Sequence, residues 1–244
     1  MSLVLKNPHS VLAALQTRPE DVVDIRVPAG KPSSAWGDVV ALAQQHEIPI
    51  RTNLAEEPRR PTNDHKFERT GAAQATVRER QGLLIEELFA NAASEPGLWL
   101  ALDCLQDPHN VGAIFRTASF FGIKGIVMTR DRSAPLTATV YDVAAGGLEY
   151  VPFGEPTNLA RAMNVAKTAG IWLLGSSEHA TQDVRDIPRD RSWLLILGNE
   201  EQGLRRLSLE KCDQICKLTA RGTVPSLNVS VAAGVLMAEL TRGT

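Results

Sequence analysis

Three polar segments, each set beside an apolar run, carry the side chains best able to do chemistry. The first runs from Asp103 to Ala118 and contains Asp107-Pro-His-Asn110 followed by Arg116. Asn110 is a good residue to begin a helix, because its side chain can accept from a free amide of the first turn. Arg116 lies six residues on, about one and two-thirds turns into that helix, so the two need not share a face. The start of such a helix favours an anion such as phosphate. The second segment, Ile196-Leu-Gly-Asn-Glu-Glu-Gln-Gly-Leu204, ends an apolar run at Gly198. A polar loop with Glu200 and Gly203 follows, and glycine there lets backbone come close to a ligand. The third, Val224-Pro-Ser-Leu-Asn-Val-Ser-Val-Ala-Ala-Gly-Val-Leu236, offers Ser226 and Asn228 ahead of a run of small residues. Ser226 could cap the helix that follows, and Ala232, Ala233 and Gly234 would let it pack closely. Taken singly, each segment also reads as structure alone: a capped helix with a surface arginine, a surface turn, and a capped core helix.

The elements that must position them alternate in type. Toward the N-terminus, Asn7-Pro8 can cap a helix through Leu15, Val22 to Val27 reads as a strand, and Trp36 to His46 has helical spacing. Ile48-Pro-Ile-Arg51 reads as a short strand near a sheet edge because of its proline. Residues 55–70 are polar, contain Pro58 and Pro61, and read as a loop, and Gly71 to Val77 reads as a last strand. Gln81 to Ala93 has helical spacing, and Ser94-Glu-Pro-Gly97 breaks the chain. Beyond it, strands are expected at Leu98–Asp103, Gly125–Thr129, Tyr150–Phe153, Ile171–Gly175, Trp193–Gly198 and Gln214–Leu218. Helices are expected at Val111–Phe121, Ala138–Gly147, Leu159–Thr168 and Leu227–Thr241. Several of these strands lack polar alternation, as expected when both faces are covered. The rhythm implies an α/β fold with a parallel sheet, whose ligands sit outside the carboxyl ends of its strands. Three spans are expected: 1–80, a linker over 81–96, and 97–244.

Composition narrows the class. Of 244 residues, 43% are hydrophobic and 22% charged, which is ordinary for a globular chain. No apolar run approaches the ~18 residues a membrane span needs. Met1-Ser-Leu-Val-Leu-Lys6 lacks a charged leader before an apolar stretch, so no signal peptide is expected. Cys104, Cys212 and Cys216 make an odd count, which argues for free thiols in a reducing cytoplasm. They and five scattered histidines show no metal-ligand spacing, so no metal is expected. The net charge of −2 makes the whole chain no magnet for nucleic acid. Residues 51–80 are locally richer in bases, seven basic against five acidic. The Rossmann, P-loop, nucleophile-elbow and zincin motifs are missing, so the ligand must be held in another way.

Taken together and in this order, the three segments resemble the SpoU (TrmH-like) branch of the SPOUT RNA methyltransferases. The matching residues are Asp107 to Arg116, Leu197-Gly-Asn-Glu-x-x-Gly-Leu204 and Ser226-Leu-Asn-Val-Ser-Val-Ala-Ala233, with the resemblance covering about 97–243. The preceding 80 residues are similar to the small ribosomal-protein-like α/β domain that binds RNA in a two-domain subgroup, which includes enzymes modifying large-subunit ribosomal RNA. The chain departs from the pattern at Arg69-Thr-Gly71 for His-Gln-Gly, at Glu201 for a glycine, and at Ala144-Ala-Gly-Gly147 for Ser-Ala-Gly-Ala.

The resemblance implies a deep trefoil knot in the C-terminal part, with S-adenosylmethionine held by Gly175, Gly198, Gly203, Leu218 and Leu227. It implies methyl transfer to a ribose 2′-hydroxyl of RNA, ribosomal RNA being favoured over transfer RNA because of the N-terminal extension. Arg116 is then the residue that activates the hydroxyl. A guanidinium stays protonated to about pH 12, so a cation that holds phosphate and steadies a forming alkoxide is the better role than a base. Asn110, Glu200, Ser226 and Asn228 would position the reacting groups, and Arg59, Arg60, Lys66 and Arg69 would meet RNA phosphates. A homodimer through the C-terminal part is also implied, and the apolar final helix fits it. A non-catalytic RNA-binding protein on a degenerate methyltransferase fold is the reading from another class.

Overall fold

The computed structural model describes residues 1–30, 33–53, 73–94, 96–199 and 202–242. Two sheets organise them. The smaller has four strands, β1 (Ser2–Leu5), β2 (Val22–Pro28), β3 (Ile50–Asn53) and β4 (Gln74–Arg78), in the order β1-β4-β2-β3. Helices α1 (Pro8–Thr17) and α2 (Ser34–Gln45) accompany it. Asn7 caps α1 as its Asn-Pro pair foretells, its side chain accepting from the amide of His9. β3 lies at the edge, where Pro49 removes no ladder bond.

The chain then forms α3 (Ile85–Leu88), β5 (Leu98–Leu102), α4 (Pro108–Phe120), β6 (Gly125–Met128), α5 (Ala138–Ala144), α6 (Gly147–Tyr150) and β7 (Phe153–Gly154). It continues through α7 (Leu159–Thr168), β8 (Trp172–Ser176), β9 (Gln182–Asp183), β10 (Trp193–Leu197), α8 (Arg206–Lys211), β11 (Gln214–Lys217) and α9 (Val229–Leu240). These seven strands form one all-parallel sheet in the order β7-β6-β5-β10-β8-β11-β9. β5, β6 and β10 are buried along their whole length, which is why their sequences are unbroken apolar runs. One face packs Phe89, Trp99, Leu159, Met163, Leu194 and Ile196. The other packs Leu100, Ile114, Phe115, Leu195 and Leu236, and its core continues into Leu5, Leu15 and Ile25 of the smaller sheet.

A dense polar seam joins the two sheets. The Asp142 carboxylate accepts from the amides of Lys6 and Asn7, and Ser10 Oγ donates to the Tyr141 carbonyl at 2.6 Å. Arg18 donates through Nε and Nη2 to both oxygens of Glu149, each at 2.7 Å. Glu149 is 3% exposed, so the pair survives burial only through this bidentate geometry. Burial pushes the Tyr141 phenol up to about 12; its oxygen accepts from the Arg80 amide at 2.9 Å.

The structure corrects several expectations. The helix expected over 81–93 shrinks to four residues of α3. The chain ahead of it is held extended: Arg80 Nη1 donates to the carbonyls of Leu148 and Val151, and the Leu83 amide to that of Phe153. The helix expected over 138–147 breaks, because Ala145 and Gly146 take left-handed backbone with φ 47° and 95°. Gly147 then restarts it against α4, where a Cβ would lie 2.5 Å from the Phe115 carbonyl oxygen. Of the strand expected over Tyr150–Phe153 only Phe153 is kept, joined by Gly154 in β7, since Tyr150 belongs to α6. No helix among the described residues is long and apolar enough to cross a membrane.

Candidate functional site

Neighbouring β5 and β10 feed connections that leave in opposite directions: β5 leads to β6 and β7, while β10 leads toward β11 on the far side of β8. Such a switch point leaves a crevice at the carboxyl ends of the two strands. A cleft of about 780 Å³ lies there. After β5 it is lined by Cys104, Gln106, Asp107 and Asn110, after β6 by Arg132, and after β10 by Asn199 and the stretch from Gln202 to Arg206.

The first segment enters α4 one turn earlier than expected. Asp107, not Asn110, is the cap, and its carboxylate accepts from the His109 amide at 2.8 Å. Pro108 takes the first helical position, where a missing amide costs nothing. Asn110 is thereby freed for another task. It is 6% exposed, and its Oδ1 accepts from Asn228 Nδ2 at 3.0 Å. That bond ties the first segment to the third across 118 residues.

Asn228 also replaces Ser226 as the cap of α9, accepting from the amides of Ser230 and Val231 and from Ser230 Oγ. Ser226 and Leu227 are exposed just ahead of it. Leu218, directly after β11, is half-buried against the core. Among the described residues, the backbone of 219–227 makes no main-chain hydrogen bond within the chain, so its amides and carbonyls are available.

The glycines of the second segment serve the chain's own crossing. A Cβ on Gly198 would stand 2.2 Å from the carbonyl carbon of Gly203, so the expected approach of backbone is that of residues 203–204. Asn199 and Gly203 close the loop by exchanging main-chain bonds at 3.0 and 2.9 Å. Gly203 itself has φ 65°, lines the cleft and has open space on its Cβ side. Gly175 faces Leu204 and Cys212, each 3.0 Å from where a Cβ would sit. Glu200 lies outside the described residues, as do Arg59, Arg60, Lys66 and Arg69.

Arg116 is exposed on α4 and does not line the cleft. No ion pair or hydrogen bond holds it among the described residues.

Sequence reading missed a second layer of the cleft. Asp103, fully buried at the end of β5, meets Arg205 Nη2 at 2.6 Å and accepts from Ser208 Oγ at 2.6 Å. This clamps the start of α8, and with it the loop after β10, onto β5. Asn199 Nδ2 reinforces the clamp by donating to the Cys104 carbonyl at 3.0 Å. The Asp103 hydrogen bond raises the Arg205 pKa, and burial pushes the Cys104 thiol up. Arg205-Arg206 directly after the Gly-Leu of the second segment was a legible signal. Arg132 was not, because only the strand order brings the turn after β6 to this place.

Residues 97–238 match the model of the SpoU rRNA Methylase family. A protein of Nitrosomonas europaea named 23S rRNA (guanosine-2′-O-)-methyltransferase RlmB is 33% identical over 96% of this chain and 89% of its own. One of the same name from Neisseria meningitidis is 35% identical over 96% of this chain and 92% of its own. Among solved structures, the SpoU methyltransferase AviRb from Streptomyces viridochromogenes, in complex with AdoMet, shares the fold with a TM-score of 0.80. It is 18% identical, over 99% of this chain and 90% of that one.

Proposed function

We propose, from the premise that the chain belongs to the SpoU rRNA methylase family, that it moves the methyl group of S-adenosylmethionine to the 2′-hydroxyl of a guanosine ribose in 23S ribosomal RNA. One observation carries this reading at the level of geometry. The polar segments meet at the carboxyl ends of the parallel sheet, where Asn228 bonds Asn110 beside the cleft.

S-adenosylmethionine supplies a methyl group on a positively charged sulfur, open to in-line attack. The residues present fit it: Leu218 and Leu227 offer apolar surface, and the backbone of 219–227, which makes no main-chain bond among the described residues, offers donors and acceptors suited to an adenine edge. Gly203, with open space beside its Cα, lets the polar part of the ligand come close. Gly198 and Gly175 act one step back, by letting the chain cross itself at 203–204. The deep trefoil knot belongs to this reading, and the tight passage at Gly198 supports it.

Arg116 is the group for the acceptor. It brings a forked cation that holds a phosphate and steadies the forming alkoxide, while a phosphate oxygen or a water takes the proton of the hydroxyl. Asn110 and Asn228 hold the first and third segments in register. Glu200 and Ser226 complete the polar set by their place in the motifs.

Residues 1–80 serve as an RNA-binding domain joined through 81–96 to the methyltransferase domain at 97–244. The separate four-stranded sheet and the basic excess of 51–80 support this. The protein works in the cytoplasm as a homodimer. Val231 and Val235 of α9 and Phe120 of α4 are exposed apolar residues that a second copy would cover.

The test is transfer of labelled methyl from S-adenosylmethionine to an unmodified 23S rRNA transcript, with transfer RNA as the comparison. Label on 23S rRNA alone supports the reading, and label on transfer RNA alone defeats it.

A further inference from the structure

The cleft at the switch point has a chemistry of its own. Three guanidinium groups, from Arg132, Arg205 and Arg206, stand on its walls among the amides of Gln106 and Gln202. They are not equivalent. Arg205 is committed to the buried Asp103 at 2.6 Å. Arg206 pairs along α8 with Glu210 at 3.2 Å. Arg132 meets no carboxylate among the described residues. Asp107, which also lines the cleft, already spends an oxygen on the His109 amide.

Its backbone supports a built site. Among the described residues four non-glycine residues have positive φ, and two of them, Cys104 at 64° and Arg132 at 60°, line this one cleft. That conformation is uncommon without glycine and gathers where a side chain must be aimed. Arg132 is aimed from the turn after β6, which Thr129 Oγ1 braces by donating to the Asp131 carbonyl at 3.0 Å. A forked cation over a polar cleft, with no carboxylate partner among the described residues, suits a phosphodiester, which it can hold through two parallel bonds. The region proposed for the cofactor shares only Gly203 with this lining, so the cleft is left for the acceptor strand.

We propose that this cleft seats the RNA backbone next to the target ribose, with Arg132 holding a phosphate and Gln106 and Gln202 facing the neighbouring base. This rests on the reading of the chain as an rRNA methyltransferase and names a phosphate subsite for it. Arg205 is then a positioning residue: through Asp103 it keeps the loop after β10 in place as one wall.

The experiment uses the full chain and an unmodified 23S rRNA transcript. Affinity is measured against salt concentration for the wild type, Arg132→Ala and Arg132→Lys, alongside KM and kcat for methyl transfer and calorimetry with S-adenosylmethionine. Losing one charge-assisted contact corresponds to about tenfold in affinity. Arg132→Ala should therefore bind RNA about tenfold more weakly, with the slope of log affinity on log salt lower by about one. KM for RNA should rise with kcat nearly unchanged, and cofactor affinity should stay the same. Arg132→Lys should keep the salt slope, since it keeps the charge. Arg191→Ala is the control: its guanidinium sits 4.4 Å over Trp172 at the opposite, amino end of the sheet. Unchanged affinity and slope in Arg132→Ala overturns the proposal, as does a loss confined to kcat or an equal loss in Arg191→Ala. A wild-type chain that binds the transcript but transfers no methyl would defeat the functional reading, while the affinity comparison still decides the subsite.

Discussion

Replacing Asn228 separates two jobs that its side chain does at once. Its Oδ1 caps α9 through the Ser230 and Val231 amides, and its Nδ2 donates to Asn110. Asn228→Ala removes both: about 1 kcal/mol for the cap and about 1 kcal/mol for the hydrogen bond. In a chain of this size each kcal/mol lowers Tm by roughly 2–4 °C, so a fall of roughly 4–8 °C is expected. Asn228→Ser keeps a capping oxygen but is too short to reach Asn110, so roughly half that loss remains. Thermal unfolding of both variants reads the cap. A double-mutant cycle with Asn110→Ala reads the link, with a coupling of about 1 kcal/mol expected for residues in direct contact. Single-turnover methyl transfer at saturating cofactor completes the assay. Both Asn228 variants should lose at least about tenfold in rate, because the first and third segments lose register. If Asn228→Ser unfolds as early as Asn228→Ala, the cap assignment fails. If the coupling is zero, the bond between the segments does no work and the site geometry argued from it is wrong.

Further outcomes follow from the same geometry. Arg116→Ala should lower single-turnover transfer by at least about 10²-fold while leaving S-adenosylmethionine affinity nearly intact, and Arg116→Lys should rescue poorly because it loses the planar fork; an unchanged rate removes Arg116 from the catalytic set. Glu149→Ala removes the bidentate partner of the buried Arg18 and leaves it Asp21 at 3.0 Å and the Arg78 carbonyl, so it should cost about 2–3 kcal/mol, below the full penalty of an unpaired buried charge, read by chemical unfolding and by faster hydrogen exchange across β1 to β4; wild-type exchange would show that the seam does not hold the smaller sheet. The Cys216 thiol is pushed up from 9.0 to about 12 by burial. The unfolded chain therefore loses this proton first, so stability should fall as pH rises from about 9 toward 12, and Cys216→Ala should flatten that fall. An identical slope in the variant would refute the assignment. Light scattering at micromolar concentration should give the mass of two chains, and a monomer mass refutes the homodimer.

Local signals were legible wherever local physics decides. Leu98–Leu102 and Trp193–Leu197 announce buried parallel strands by unbroken apolar runs, and α7 keeps its expected ends because Asn158 caps it, accepting from the Arg161 amide. Asn110 was misplaced as a cap because Asp107-Pro108, three residues earlier, carries a stronger start signal. α3 and the break after α5 depend on tertiary contacts, Leu83 with Phe153 and Gly147 with Phe115, that no spacing encodes. β1, β9 and α8 are short elements whose sequences carry little periodicity. Of the site, the three polar segments could be read, since each is contiguous. The bond from Asn228 to Asn110, the clamp from Arg205 to Asp103 and the entry of Arg132 could not, because each brings together segments far apart in sequence that only the tertiary fold makes neighbours.

Methyl transfer to a ribose 2′-oxygen of 23S rRNA requires that oxygen as the attacking atom. Once the modified guanosine has been mapped, the most direct measurement is transfer to an RNA carrying a single 2′-deoxyguanosine at that position. Binding should persist and transfer should stop, since the attacking oxygen is gone while the phosphates remain. Continued methylation at that nucleotide would place the methyl on the base and refute transfer to the ribose.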